Sequence, residues 1–276
     1  MTIPALRYFV VDAFTDRPFA GNPAAVVPLA EWRDDAWLQN VAMEMNLSET
    51  AFIVKENDGY RLRWLTPKVE VALCGHATLA SAHVLWNEGF VSSDEKIHFH
   101  TKSGRLTAQY NQACIELDFP VKPPRECVPS SGLMEALGTS AKYVGRNEFD
   151  YLVEVESEDE VRRLAPDFAR LSSVDMRGVI VTSRSSTPQF DFVSRFFAPR
   201  AGVDEDPVTG SAHCCLGPYW QGRMGKSEFT AYQASARGGV IDVRVAGDRT
   251  YLSGQAVTVL RGELVAGIEV SDMGAA

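Results

Sequence analysis

The sequence predicts an α+β fold of two similar halves, each a curved, mostly antiparallel sheet wrapped around one central helix. Three observations lead there. The first is a pair of apolar helical runs, one at Ala77–Trp86 and one following Gly210, each bracketed by short Val-, Phe- and Tyr-rich segments at hairpin spacing. A helix apolar nearly all round is normally enclosed by protein, so the strands must surround it. The second is an internal repeat. Arg63-Trp64-Leu65-Thr66-Pro67-Lys68 matches Arg195-Phe196-Phe197-Ala198-Pro199-Arg200, and Gly75-His76-Ala77 matches Gly210-Ser211-Ala212 after a three-residue insertion in the second loop. The third is a further match at the same offset, Ser103-Gly104-Arg105-Leu106 against Gly238-Gly239-Val240-Ile241.

In chain order, Arg7–Phe14 reads as a strand, Thr15–Pro23 as a loop and Ala24–Pro28 as a second buried strand. Asp34 caps a helix that runs to Met45, with Trp37, Leu38, Val41, Ala42 and Met45 on one face and Asn46 suited to a left-handed stop. Glu49–Lys55 and Tyr60–Leu65 form a hairpin about Asn57-Asp58-Gly59. Lys96–His100, Arg105–Tyr110 and Ala113–Phe119 are short strands. Residues 120–129 contain Pro120, Pro123, Pro124 and Pro129 and read as the linker between a first half at 1–119 and a second at 130–276, whose last strand is free to return to the first half. The second half opens with a short helix at Leu133–Leu137 and a strand at Tyr151–Val155. A polar helix follows at Asp159–Arg170, interrupted by Pro166. Strands are expected at Gly178–Thr182, Phe190–Phe197, Phe229–Ala234, Val240–Val245, Arg249–Ser253 and Ala256–Leu260. Pro218 is expected to cut the second central helix short, because proline lacks the donor and clashes one turn back.

The bulk numbers agree with a soluble enzyme-sized chain. Its 276 residues suit about two domains. A formal net charge of −9 argues against nucleic-acid or anionic-membrane partners. Five cysteines, including the adjacent Cys214-Cys215, sit badly in a disulfide framework and point to reduced thiols in a cytoplasmic protein. The first residues lack the pattern of a signal peptide, and no run reaches membrane-spanning length. No strand is followed by GxGxxG and there is no Walker loop, so a nucleotide cofactor is not expected.

Candidate site residues gather at the two helix starts. Gly75-His76 and Gly210-Ser211 each present free backbone N–H groups, and the helix dipole favours an anion there. Two such corners facing one cleft would hold a carboxylate. Glu49 stands at the mouth of a buried strand with no basic neighbour in sequence, either as a proton-transfer group or as a solvated strand-end acid. His76 can trade protons or cap its own helix. Asp206 and Ser211 can line the second corner or cap it, while Asp204 and Glu205 read as solvated. Cys74 can be a nucleophile or a small buried side chain. His98-x-His100, with Cys74 or with His213-Cys214-Cys215, fits no strong zinc pattern, so no metal is expected. Arg237-Gly238-Gly239 reads as a turn before a strand.

Val11-Asp12-Ala13-Phe14-Thr15 with Gly21-Asn22-Pro23, Asn46-Leu47-Ser48-Glu49-Thr50, Cys74-Gly75-His76-Ala77-Thr78 and Glu205-Asp206-Pro207-Val208-Thr209-Gly210-Ser211-Ala212 together resemble the PhzF family of phenazine-biosynthesis-like isomerases. The resemblance covers about residue 7 to about residue 262. It implies a diaminopimelate-epimerase-like fold with the site between two pseudo-symmetric domains, a homodimer, and no metal or organic cofactor. It implies Glu49 as the acid/base, with His76, Asp206 and Ser211 as its partners. Related epimerases and racemases use one cysteine from each half; this chain has Cys74 at the first place and Pro207 at the second. The expectation is therefore a cofactor-independent isomerase that moves a proton between carbons of a small carboxylate metabolite. The rivals are a Cys74-dependent epimerase or racemase, and a catalytically idle binding protein on the same fold.

Overall fold

The computed structural model describes residues 6–111 and 114–265. Residues 1–5, 112–113 and 266–276, which include the outer ends of both expected halves and the first residue of the expected strand at 113–119, lie outside the described residues.

The first half comprises β1 (Leu6–Ala13), β2 (Asn22–Leu29), α1 (Asp35–Met45), β3 (Glu49–Glu56), β4 (Gly59–Leu65), β5 (Glu70–Val71), α2 (Gly75–Asn87), β6 (Ile97–Thr101), β7 (Gly104–Asn111) and β8 (Cys114–Pro120). β9 (Arg125–Glu126) follows. The second comprises α3 (Leu133–Leu137), β10 (Tyr143–Arg146), β11 (Asp150–Glu154), α4 (Glu158–Arg163), α5 (Phe168–Leu171), β12 (Gly178–Arg184) and β13 (Phe192–Ala198). After a 3-10 turn at Pro199–Ala201 come β14 (Val203–Glu205), α6 (Gly210–Met224), β15 (Glu228–Gln233), β16 (Gly239–Ala246), β17 (Arg249–Gly254) and β18 (Ala256–Leu264).

The repeat read from the sequence reappears as repeated pairing. Along β1-β2-β3-β4-β6-β7-β8 the neighbours run antiparallel, parallel, antiparallel, parallel, antiparallel, antiparallel. The series β10-β11-β12-β13-β15-β16-β17 repeats that order. The halves then exchange strands. β9 follows β8 but pairs with β10, and β18 follows β17 but pairs with β1. The proline-rich segment at 120–129 is thus more than a connection, since Arg125 and Glu126 add to the second half's sheet. Even the salt bridges repeat: Arg63 grips Glu70 at 2.9 and 2.7 Å, and Arg195 grips Glu205 at 2.7 and 2.9 Å. Glu205, expected to be solvated, is instead half-buried in a two-point ion pair that fastens β14 to β13.

β8 and β17 also pair, so the two halves share one sheet. One continuous core runs through both halves and both central helices, with Leu79, Ala80, Ala82 and Val84 of α2 and Ala212, Cys215, Leu216 and Trp220 of α6 fully buried. Each large apolar side chain buried this way contributes about 1.5–3 kcal/mol. Smaller cores lie under α1 in the first half and under α3, α4 and α5 in the second. The polar helix expected across Asp159–Arg170 is two helices, α4 and α5, split at the segment holding Pro166. No helix among the described residues is long and apolar enough to cross a membrane.

Pro218 does not shorten α6, contrary to expectation. The helix continues through it to Met224. The carbonyl left without its helical partner belongs to Cys214, and Lys122 N–H donates to it at 2.9 Å. A donor from the inter-half segment therefore replaces the missing one. Next to it, a Cβ added at Gly217 would lie 2.9 Å from Val245 Cγ2 and 3.0 Å from Val243 Cγ1. Gly217→Ala gains about 1 kcal/mol of helix propensity. It loses more by overpacking two stiff β-branched side chains, about 1–3 kcal/mol. A net loss of about 1 kcal/mol by urea denaturation is expected; an increase in stability would show that β16 yields freely to α6.

Candidate active site

α1 stops at Asn46, whose φ of 48° is left-handed, and the chain turns at once into β3. β2 and β3 run parallel with Ala24 opposite Glu49, so Asn22 and Glu49 sit at the same end of the sheet. α2 begins at Gly75 and brings His76 to that end. His76 Nε2 lies 3.1 Å from Glu49 Oε2, at ion-pair distance. The alignment is not that of a hydrogen bond, and the buried Oε2 has no hydrogen-bond partner. Cys74 Sγ lies 3.5 Å from His76 Nδ1. From the second half, Asp206 Oδ1 accepts from Asn22 Nδ2 at 2.8 Å, and the same amide nitrogen lies 3.1 Å from His76 Nδ1. Asn22 thus links the first-half pair to the second-half acid.

The turn carrying Asp206 is held from behind. Thr209 Oγ1 donates to Asp206 Oδ2 at 2.5 Å. Gln233, fully buried in β15, donates to Asp206 O at 2.7 Å and accepts from Thr209 N–H at 2.8 Å. Neither Asp206 nor His76 caps a helix; α2 and α6 both start without any side-chain cap hydrogen bond. Ser211 does not cap either, since its Oγ accepts from Arg177 Nη2 at 3.0 Å. Arg177 is in turn held by the buried carboxylate of Asp150. The two helix starts meet: a Cβ added at Gly75 would lie 3.3 Å from Gly210 Cα, and one at Gly210 would lie 3.3 Å from Gly75 Cα. Glycine at both places lets the two helix N-termini approach backbone to backbone without crowding. Gly75, His76, Gly210, Ser211, Glu49 and Asp206 therefore share one region.

Burial dominates the electrostatics. It pushes the Cys74 thiol up to about 11, so Cys74 is uncharged at neutral pH. Burial also works against charge on His76, while a Cys74 thiolate and the Glu49 carboxylate would raise its pKa above 6.5. With Cys74 a neutral thiol, the Glu49 and Asp206 carboxylates remain to favour the imidazolium, against burial and the facing NH2 group of Asn22. Burial raises the Asp206 pKa above 3.8, with the Glu49 charge adding and His76, Thr209 and Asn22 opposing. Among the described residues the group of His, Cys and carboxylate side chains close enough to share a metal ion is Glu49, Cys74 and His76, whose ligand atoms lie within 4.8 Å of one another. A metal there would first have to displace the thiol proton. His98, His100 and His213 stand outside this group. A cavity of about 520 Å³ lined by Thr15, Arg17, Tyr232, Arg237 and Gln255 lies elsewhere and includes none of Glu49, His76 or Asp206.

A family model described as phenazine biosynthesis-like protein (PhzC-PhzF) matches residues 11–262. The chain belongs to this family. An uncharacterized isomerase of Halalkalibacterium halodurans is 57% identical over 266 residues, covering 96% of this chain and 99% of its own. By that likeness the chain is an isomerase by class. The crystal structure of a PhzF family protein from Enterococcus faecalis superposes with a TM-score of 0.90 at 42% identity, over 94% of this chain and 99% of the other. A probable proline racemase from Agrobacterium radiobacter, 12% identical with a TM-score of 0.64 over 95% of this chain and 93% of its own, shares the fold alone. The α+β, epimerase-like architecture of the PhzF family is therefore that of this chain.

Sequence reasoning missed several residues that build the region. Asn22 was legible as part of Gly21-Asn22-Pro23, but nothing near it pointed to Asp206. Gln233, Arg177 and Asp150 carried no local signal, because their partners lie on other strands and helices.

Proposed function

We propose that this PhzF-family isomerase moves a proton between two carbons of a small carboxylate-bearing metabolite, with Glu49 as the acid/base. The observation that carries the reading is the meeting of the Gly75 and Gly210 helix starts beside Glu49, His76 and Asp206. The substrate carboxylate is held by backbone N–H groups of Gly75-His76 and Gly210-Ser211, which no side chain caps. Glu49 takes a proton from one carbon. The electron pair left behind spreads through the conjugated system onto the carboxylate oxygens, where the same N–H groups stabilise it. Glu49 then returns the proton to another carbon, so no atom or electron is gained or lost. His76 and Asp206 orient the substrate, and Ser211 binds it. The reaction as written uses only this chain's own groups, with no resident metal or organic cofactor. The five free cysteines suit a reducing, cytoplasmic compartment. A homodimer is what the family resemblance implies.

The Cys74-dependent epimerase reading deserves a test because Cys74 lies against His76. Wild-type protein and Cys74→Ala are incubated in deuterated water with a mixture of small carboxylates, and deuterium uptake at carbon is read by mass spectrometry. Both are expected to bind and exchange the same compounds within about threefold, since a thiol held at about 11 contributes little thiolate at neutral pH. Loss of exchange in Cys74→Ala, with its melting temperature unchanged, would transfer the base role to the thiol.

A further inference from the structure

Asn22 opens β2, and its side chain is fully buried where the two halves meet. Its amide nitrogen has three neighbours: Val208 O at 2.9 Å, Asp206 Oδ1 at 2.8 Å and His76 Nδ1 at 3.1 Å. A main-chain carbonyl can only accept. The Val208 contact therefore orients the amide, because the turned-over form would set its oxygen against the carbonyl oxygen of Val208. The group facing all three neighbours is NH2. One hydrogen goes to Val208. The other goes to Asp206 Oδ1. His76 Nδ1 therefore faces the NH2 group of Asn22 and has no acceptor in front of it. A hydrogen on Nδ1 would point at an amide nitrogen whose lone pair is delocalised into its own carbonyl. Cys74 Sγ offers no way out. At 3.5 Å from Nδ1 and 4.0 Å from Nε2 it is nearly equidistant from the two nitrogens, which places it beside the ring and off the axis of either N–H.

We propose that Asn22 is a positioning residue that fixes His76 as the Nε2–H tautomer, with Nδ1 bare, when the two halves are together. The consequence for catalysis rests on the isomerase reading above; the tautomer does not. The hydrogen then sits on the nitrogen beside Glu49. Because Glu49 Oε2 makes no aligned hydrogen bond, its lone pair stays available as a base while Nε2–H is left to donate to a bound molecule. Asn22 comes from the first half, whereas Asp206 and Val208 come from the second. The proton arrangement is therefore set by contacts that exist only when the halves close on each other.

The test is the nitrogen spectrum of the whole protein labelled with 15N-histidine. His76→Gln identifies which of the five histidines is His76. Near neutral pH the wild type is expected to show a pyrrole-type Nε2 and a pyridine-type Nδ1 at His76. A proton on Nδ1, alone or with one on Nε2, overturns the proposal. Asn22→Asp puts an acceptor where the NH2 group stood, so the His76 proton is expected to appear on Nδ1. Exchange of the best carboxylate substrate from the screen should then fall about 10–100-fold, as when a group that orients a functional histidine is lost. A His76 spectrum unchanged in Asn22→Asp also overturns it. Should Asn22→Asp not fold, the wild-type spectrum alone decides. If the wild type shows Nε2–H and Glu49→Gln still exchanges protons, the isomerase reading fails and the tautomer assignment stands.

Discussion

Glu49→Gln should lower proton exchange and turnover about 10²–10⁴-fold, the share of catalysis that a positioned acid/base supplies. Glutamine keeps the shape of the side chain and removes its basicity. The substitution should cost little stability, within about 0.5 kcal/mol, because Glu49 Oε2 holds no hydrogen-bond partner to be stranded. If the carboxylate is anchored at the Gly75 and Gly210 helix starts, as proposed, substrate affinity should hold or rise. The expected pattern is thus a collapse of kcat with a thermal shift by carboxylates like that of the wild type. Asp206→Asn should fall less far if Asp206 orients the substrate, as proposed, and does not itself carry the proton. Exchange at wild-type rate in Glu49→Gln would remove Glu49 from the chemistry. Loss of both exchange and binding would instead make it a substrate-binding group.

How much of this could be read in the chain divides along sequence distance. The halves were legible because Arg63–Lys68 and Arg195–Arg200 repeat in type and order, and the structure repeats the pairing around them. α1 was legible from its cap, since Asp34 accepts from Trp37 N–H and Asn46 takes the left-handed stop, both local effects. Pro218 misled because the rule against proline in a helix assumes that the freed carbonyl stays unpaired, and Lys122 supplies the donor from almost a hundred residues away. Glu205 misled for the same reason. Its partner Arg195 lies across a strand pair, so an acidic loop looked solvated. At the site, Glu49, His76, Asp206 and the two glycines were legible through motif resemblance, and each falls in the region that the helix starts define. The residues that join them, Asn22, Gln233 and Arg237, act over long sequence separations, so even where the chain marks them, as in Gly21-Asn22-Pro23 or the turn at Arg237, nothing local names their partners.

Arg237 leads to the second large effect: Arg237→Ala should destabilise the protein by about 3 kcal/mol. Its Nη2 donates to Asp12 Oδ1 at 2.7 Å and to Ala20 O at 2.9 Å, and its Nε donates to Gly21 O at 2.8 Å. It therefore clamps the loop that leads into Asn22, from a turn that sequence alone marked only as preceding a strand. Asp12 is nearly fully buried, and burial already raises its pKa above 3.8 against the lowering by Phe19 N–H and Arg237. Removing the guanidinium strands that carboxylate, which costs far more than losing an exposed pair such as Arg261–Glu88, where about 0–1 kcal/mol is expected. The pH dependence follows in sign. A carboxyl whose folded pKa lies above its unfolded value binds protons better in the native state, so its penalty is full above the folded pKa and fades as the pH falls toward 3.8. The stability gap between wild type and Arg237→Ala should therefore be widest near neutral pH and narrow on acidification. Arg237→Lys should restore only part of it, because an ammonium cannot reproduce the three-way fork. Urea denaturation across that pH range checks both points. A gap that is small near neutral pH, or that widens with acid, would mean that Asp12 does not depend on Arg237 and that the loop into Asn22 is held by other contacts, such as Gly21 N–H to Gly238 O at 2.8 Å.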